Sequence, residues 1–221
     1  MTSKGVCLEL FCGTKSFSKV AEQKGYQTIT LDNMKKFSPT FLVDIMACDD
    51  QFIDDFLLCF GSPYFVWASP PCTAYSKINR SMPNRTPDIE GSNAIVKHTL
   101  HIIKRLKPAH WMLENPETGL LKHQPFMNDI PYTTVAYCRY GGPSKKETRL
   151  WGSNELIDAF SKISMNCHKK LPEGQCEVKR RTNQHPASIG NSHHKEVSRT
   201  DRLRIPPPLI EAILGSTPPN Y

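Results

Sequence analysis

A chain of 221 residues, 38% of them hydrophobic and with a mean hydropathy of -0.44, has room for one α/β domain with a small appendage and a modest core. Its apolar runs fall far short of the roughly 18 residues that a membrane helix needs, and MTSKGVCLELFCG at the N-terminus lacks signal-peptide form, so the expectation is an intracellular protein away from membranes. A net charge of +7 and a pI near 9.0 permit a polyanionic partner without requiring one.

The predicted elements run as follows. VCLELF (6–11) is a strand, and CGTKS is the glycine turn after it. FSKVAEQKG follows with Phe17, Val20 and Ala21 at helical spacing and stops on Gly25. YQTITLD (26–32) reads as a second strand ending on an acid, and FLVDI (41–45) as a short third. DDQFIDDFLLCFG has acids at its start and a glycine at its end, the pattern of a helix. YFVWAS (64–69) is the fourth strand and runs into SPPC. Residues 79–92 read as a loop. NAIVKHTLHIIKRLK (93–107) is a helix with Ile95, Val96, Thr99, Ile102, Ile103 and Leu106 on one face. HWMLEN (110–115) is the fifth strand. YTTVAYCRYG (132–141) and ETRLWGS form a strand pair around a glycine turn. The pattern then weakens until PPLIEAIL (207–214), whose prolines suit a helix start.

Strands alternating with helices predict an α/β fold, a mostly parallel sheet covered on both faces. Such sheets bind ligands beyond the carboxyl ends of their strands. The polar groups collect there: CGTKS after the first strand, Asp32 after the second, Asp44 near the third, PPC after the fourth, ENP after the fifth. Eight cysteines lying largely within apolar runs suggest reduced thiols rather than a disulfide framework. Positive charge crowds after residue 138, at Arg139, Lys145, Lys146, Arg149, Lys169, Lys170, Lys179, Arg180 and Arg181. A solvated basic face and a polyanion-binding surface both fit that crowding.

LELFCGTKSFSKVAEQKGY, SPPC and LENP, in this order, resemble the cytosine-5 DNA methyltransferases, and the compact phage and virus members most. CRYGGPSKKETRLWGS looks like that family's arginine-bearing strand, and RIPPPLIEAIL is a weaker match. The chain departs from the family at Pro116, where the family usually has valine, and IGNS (189–192) is all that stands for its C-terminal cofactor segment. The resemblance implies a Rossmann-like methyltransferase fold and S-adenosyl-L-methionine as methyl donor. It implies a catalytic core over 1–151, a small, rudimentary target-recognition region over 152–203, and a C-terminal helix over 204–221 that returns to the core. The implied partner is DNA, duplex or single-stranded, with RNA as the alternative. The implied location is the cytoplasm, or the host nucleus if the source is a virus.

Carbon 5 of cytosine is too weak a nucleophile to take a methyl group unaided; a thiolate adding to carbon 6 makes it an enamine that can. Cys72 suits that covalent role, with Pro70 and Pro71 holding it still; a bland cysteine in a proline turn is the competing reading. Glu114 suits donation of a proton or hydrogen bond to ring nitrogen 3, against a strand-end glutamate that merely pairs. Asn115 reads as a loop holder. By the resemblance, Arg139 contacts the base oxygen or orients Glu114. Lys145, Lys146 and Arg149 are phosphate contacts on this reading. The cofactor set that the resemblance implies is Phe11, Cys12, Gly13, Thr14, Asp32, Asp44 and Pro70, though Asp44 fits equally as a loop acid; an acid ending the second strand would equally fit a nicotinamide cofactor. A cytosine in duplex DNA has to be flipped out or met in a single strand, and the loop 73–92, with Ser76, Lys77 and Arg80, reads equally as a cover closing over it and as a disordered surface loop. Cys167, His168, Cys176, His185, His193 and His194 are metal-ligand types, but the C-x8-C spacing lacks the tight pairs of zinc sites, so no metal is expected. RNA methylation, or a silent methyltransferase-like domain that binds nucleic acid, are the alternative functions.

Overall fold

The computed structural model describes residues 3–76, 86–142, 145–167 and 204–218. Its strands are β1 (Val6–Leu10), β2 (Gln27–Asp32), β3 (Phe41–Leu42), β4 (Phe65–Ala68), β5 (His110–Pro116), β6 (Tyr132–Ala136) and β7 (Glu147–Gly152). The helices are α1 (Ser16–Gln23), α2 (Asp50–Phe60), α3 (Ile89–Leu106), α4 (Asn154–Ser161) and α5 (Pro207–Gly215).

The strands make one seven-stranded sheet in the order β3-β2-β1-β4-β5-β7-β6. The first five are parallel; β7 runs antiparallel to both β5 and β6. Leu10 is level with Leu31 on one side and Ala68 on the other, and Ala68 is level with Leu113. The carboxyl ends of β1, β2, β4 and β5 therefore finish in one row, and the chain order reverses between β1 and β4. That is where open α/β sheets hold ligands.

Alternation along the strands divides the core in two. Cys7, Phe65, Trp67, Met112 and Leu150 face α1, α4 and α5. Leu8, Leu10, Val66, Leu113 and Trp151 face α2 and α3. Phe65 to Ala68 are all fully buried, as a central parallel strand requires. Caps fix the helix starts: Asp49 accepts from Phe52 N at 2.9 Å and Asp88 from Gly91 N at 2.7 Å. α5 lies against α1, with Tyr64 Oη donating to Thr217 Oγ1 at 2.7 Å.

Four sequence readings are corrected. The helix expected from Asn93 starts at Ile89, because Asp88 caps it. The third strand is only Phe41–Leu42, and Asp44 instead caps a short 3-10 turn over Ile45–Ala47. The strand expected over 132–141 stops at Ala136 and turns into a 3-10 segment, Tyr137–Tyr140, so Arg139 sits on a turn. Helix α4 lies where the pattern was read as weak; it buries Leu156, Ile157 and Phe160 against the sheet.

Candidate active site

The turn after β1 is tightly wound. Phe11, Gly13 and Lys15 all have positive φ, at 58°, 46° and 57°. For Phe11 and Lys15 this conformation costs on the order of 1 kcal/mol each, and two buried acids hold it. Asp32, at the end of β2, accepts Gly13 N through Oδ2 at 2.9 Å and Met34 N through Oδ1 at 2.8 Å. Glu9, inside β1, caps α1 from across the turn, accepting Ser18 N at 2.9 Å, Ser18 Oγ at 2.6 Å and Phe17 N at 3.2 Å. Burial nevertheless pushes the Glu9 carboxyl up to about 7. Glu9 was not picked out from the sequence; an acid inside the apolar run LELF was the available signal.

Around this turn, Cys12 is buried and its thiol is pushed up to about 12, chiefly by burial. Thr14 Oγ1 bonds Ser16 Oγ at 3.1 Å. Asp44 is exposed; it accepts Met46 N at 2.9 Å and Asn33 Nδ2 at 3.3 Å. A Cβ added at Gly13 would find only Phe11 O, at 3.9 Å, so the space before the turn is open. An open glycine turn beside two acids whose oxygens keep spare lone pairs fits a ligand with hydroxyl groups and a positive charge.

The second half of the site joins the ends of β4 and β5. Asn115 is fully buried and donates through Nδ2 to Pro70 O at 3.2 Å, while its Oδ1 has no partner among the described residues. Beyond Cys72 the chain is pinned by Tyr75, whose carbonyl takes Leu120 N at 3.0 Å and whose hydroxyl donates to Asn93 Oδ1 at 2.8 Å. Ser76 N bonds Thr73 O at 3.3 Å. Lys77 and Arg80 lie outside the described residues.

Glu114 is 6% exposed, and its Oε1 receives Lys146 Nζ at 2.8 Å and Tyr137 Oη at 3.1 Å. Its Oε2 takes no hydrogen bond among the described residues. Lys146 itself is 7% exposed, with its ammonium 4.7 Å from the centre of the Tyr137 ring. Burial works against that ammonium, but the Glu114 carboxylate and Tyr137 more than offset it, so Lys146 is held above its ordinary value. Cys72 is half-buried and feels both partners. Burial raises its thiol, the Glu114 charge raises it further, and Lys146 opposes them. Burial and the Glu114 charge thus outweigh Lys146, and the thiol is held above its ordinary value.

The basic residues are placed otherwise than their charge suggested. Lys146 turns inward to Glu114. Arg149 forks onto Glu117, with Nε to Oε2 at 2.7 Å and Nη2 to Oε1 at 3.0 Å, and stacks on Tyr132. Lys122 holds the same carboxylate at 2.6 Å. Lys145 pairs with Glu147 at 2.8 Å. Among the described residues Arg139 makes no hydrogen bond to Glu114; its Nη2 meets Met165 Sδ at 3.7 Å, and Nε and Nη1 are buried without a partner there. Of the metal-ligand types noted above, Cys167 is described and buried, and the others lie outside the described residues. No group of three or more potential metal ligands occurs among the described residues, nor any helix long and apolar enough to cross a membrane.

No protein-family model matches the chain. It is 28% identical to a curated protein of Frog virus 3 (isolate Goorha) named "Probable DNA (cytosine-5)-methyltransferase", over 94% of this chain and 97% of that protein. The likeness carried by the motifs therefore extends along nearly the whole of both sequences. In structure the chain superposes, with a TM-score of 0.52 and 16% identity, on a crystal structure described as a DNA modification methyltransferase encoded within an E. coli prophage. That match covers 66% of this chain and 45% of the other, so the chain spans under half of that structure's length, and it shows a shared methyltransferase-type fold.

Proposed function

We propose that the chain is a DNA cytosine-5 methyltransferase that works through a covalent adduct of Cys72 with an extruded cytosine. The observation that carries the reading is one end of the sheet where a cysteine and a glutamate come from adjacent strand ends, are tied together through Asn115 and Pro70, and share one buried cation, Lys146. A separate glycine turn after β1, braced by Asp32 at the end of β2, lies at the same end of the sheet.

The roles follow. Cys72 Sγ adds to carbon 6 of the pyrimidine, and Glu114 Oε2 meets ring nitrogen 3. Lys146 holds the other oxygen of that carboxylate and favours the Cys72 thiolate once the site is filled. Arg139 Nε and Nη1, two nitrogens without a partner among the described residues, supply donors for the base oxygen. Phe11, Cys12, Gly13, Thr14, Asp32, Asp44 and Pro70 would hold S-adenosyl-L-methionine: Asp32 by its ribose hydroxyl groups, Asp44 by its adenine amino group, and Phe11 by packing on it. When bound, that cofactor supplies the methyl group and a sulfonium charge next to Cys72. Ser76 and Asn115 border the base. Lys145 and Arg149 reach phosphates if Glu147 and Glu117 release them. The region beyond Cys167 and before Arg204 would carry target recognition, and the protein would act inside the infected or expressing cell.

The test is transfer of labelled methyl groups to duplex DNA, single-stranded DNA and tRNA, together with trapping on 5-fluorocytosine DNA. Labelled duplex DNA and a trapped protein–DNA band, both lost in Cys72→Ala with cofactor binding kept, are the expected results. Transfer to tRNA alone would replace DNA by RNA as substrate. No cofactor binding would make the chain a silent relative.

A further inference from the structure

We infer that Tyr137 is a positioning residue that locks the rotation of the Glu114 carboxylate, so that Oε2 alone faces the substrate. This rests on the reading above and adds a residue to it.

Tyr137 belongs to none of the motifs noted above. It begins the 3-10 turn after β6 and is 1% exposed. Its main chain is fixed on both sides: Tyr137 N donates to Lys146 O at 3.0 Å, and Gly142 N donates to Tyr137 O at 2.9 Å. A Cβ at Gly142 would come within 2.9 Å of Tyr137 Cβ, so only glycine lets the turn close over the ring. The hydroxyl is therefore delivered to Glu114 by a backbone with little freedom.

Burying the ring needs only a phenylalanine. The hydroxyl needs a further reason, and the geometry gives one. If Tyr137 served only to satisfy a buried carboxylate, either oxygen would do, and among the described residues Oε2 is the one without a donor. Instead Tyr137 and Lys146 converge on Oε1, from 3.1 and 2.8 Å. Two donors on one oxygen fix the plane of the carboxylate and leave the other oxygen open in a set direction. The ammonium above the tyrosine ring, at 4.7 Å, completes a closed triad of Tyr137, Lys146 and Glu114. Preorganisation of this kind lowers the barrier because the group need not reorient as charge moves in the ring.

The experiment compares wild type, Tyr137→Phe, and a protein carrying a fluorinated tyrosine at position 137, which keeps the hydroxyl but changes its acidity. Wild type is first trapped on 5-fluorocytosine DNA; failure there overturns the methyltransferase reading and not the tyrosine's role. With trapping established, Tyr137→Phe is expected to lower the single-turnover rate by about 10- to 100-fold. Its KM for DNA should stay within about twofold. The pH profile of the rate should move towards higher pH, because the carboxylate has lost a donor. The fluorotyrosine protein should keep most of the rate and shift the profile. A Tyr137→Phe rate within about twofold of wild type, or a loss of rate with the pH profile unmoved in both variants, overturns the inference. If Tyr137→Phe does not fold, the fluorotyrosine profile decides alone.

Discussion

The side-chain amide of Asn115 donates to the main-chain carbonyl of Pro70 at 3.2 Å, and this single bond ties the loop bearing Cys72 to the strand bearing Glu114. Asn115→Ala removes the donor and leaves a buried carbonyl without a partner, a change worth about 1–3 kcal/mol. Chemical denaturation should show that loss. Cys72 should also react faster with iodoacetamide, since its loop is no longer held. Unchanged stability and unchanged labelling would show that the two prolines fix the loop by themselves.

Lys146→Met breaks a buried ion pair and strands the Glu114 charge, which typically costs about 3–5 kcal/mol. The double variant Lys146→Met/Glu114→Gln should recover a large part of it. Lys146 is also the cation that opposes the upward push on the Cys72 thiol. In the single variant the thiol moves further up, and alkylation of Cys72 at pH 8 should slow. Faster alkylation would mean that Lys146 does not act on the sulfur.

Glu9 predicts a pH dependence of folding. Its carboxyl is raised from 4.5 to about 7 in the folded chain. Between those values the folded state holds a proton that the unfolded state has lost. Stability is therefore full below the lower value and falls as pH rises to about 7, by on the order of 2–3 kcal/mol. Melting temperatures from pH 5 to 8 should fall in wild type and stay flatter in Glu9→Gln. A wild-type curve that rises across this window would mean that the three donors at the start of α1 outweigh burial.

Glu117 keeps Arg149 and Lys122 from any other anion. Glu117→Gln should tighten DNA binding at low salt, and the plot of log affinity against log salt should steepen by about one released counterion. Identical salt slopes would take Arg149 and Lys122 out of the DNA surface.

The strand ends were legible because local chemistry marks them. Prolines break β4, and apolar alternation stops at Asp32 and Glu114. What pairs across the sheet was not legible. Lys146 looks like an outward charge in GGPSKKETR, and only the antiparallel return of β7 beside β5 brings it to a carboxylate 32 residues earlier. Arg139 continues an alternating run, YTTVAYCRY, that the 3-10 turn cuts short, so its placement needed the fold. Helix α4 was hidden because NELIDAFS is short and flanked by polar residues; burial against the sheet supports it more than its own periodicity does.

The contact between α5 and α1 has a consequence for biosynthesis. The α1 residues Phe17, Val20 and Ala21 share one core cluster with Leu209, Ile210 and Ile213, which are synthesised long after them. The sheet covers part of that oily surface, where Phe17 packs on Phe65 and Trp67, but on the ribosome the rest stays bare until α5 has emerged. Termination before Pro207 would leave that patch open on a sticky, protease-prone fragment, even though the loops bearing Cys72 and Glu114 had already been made.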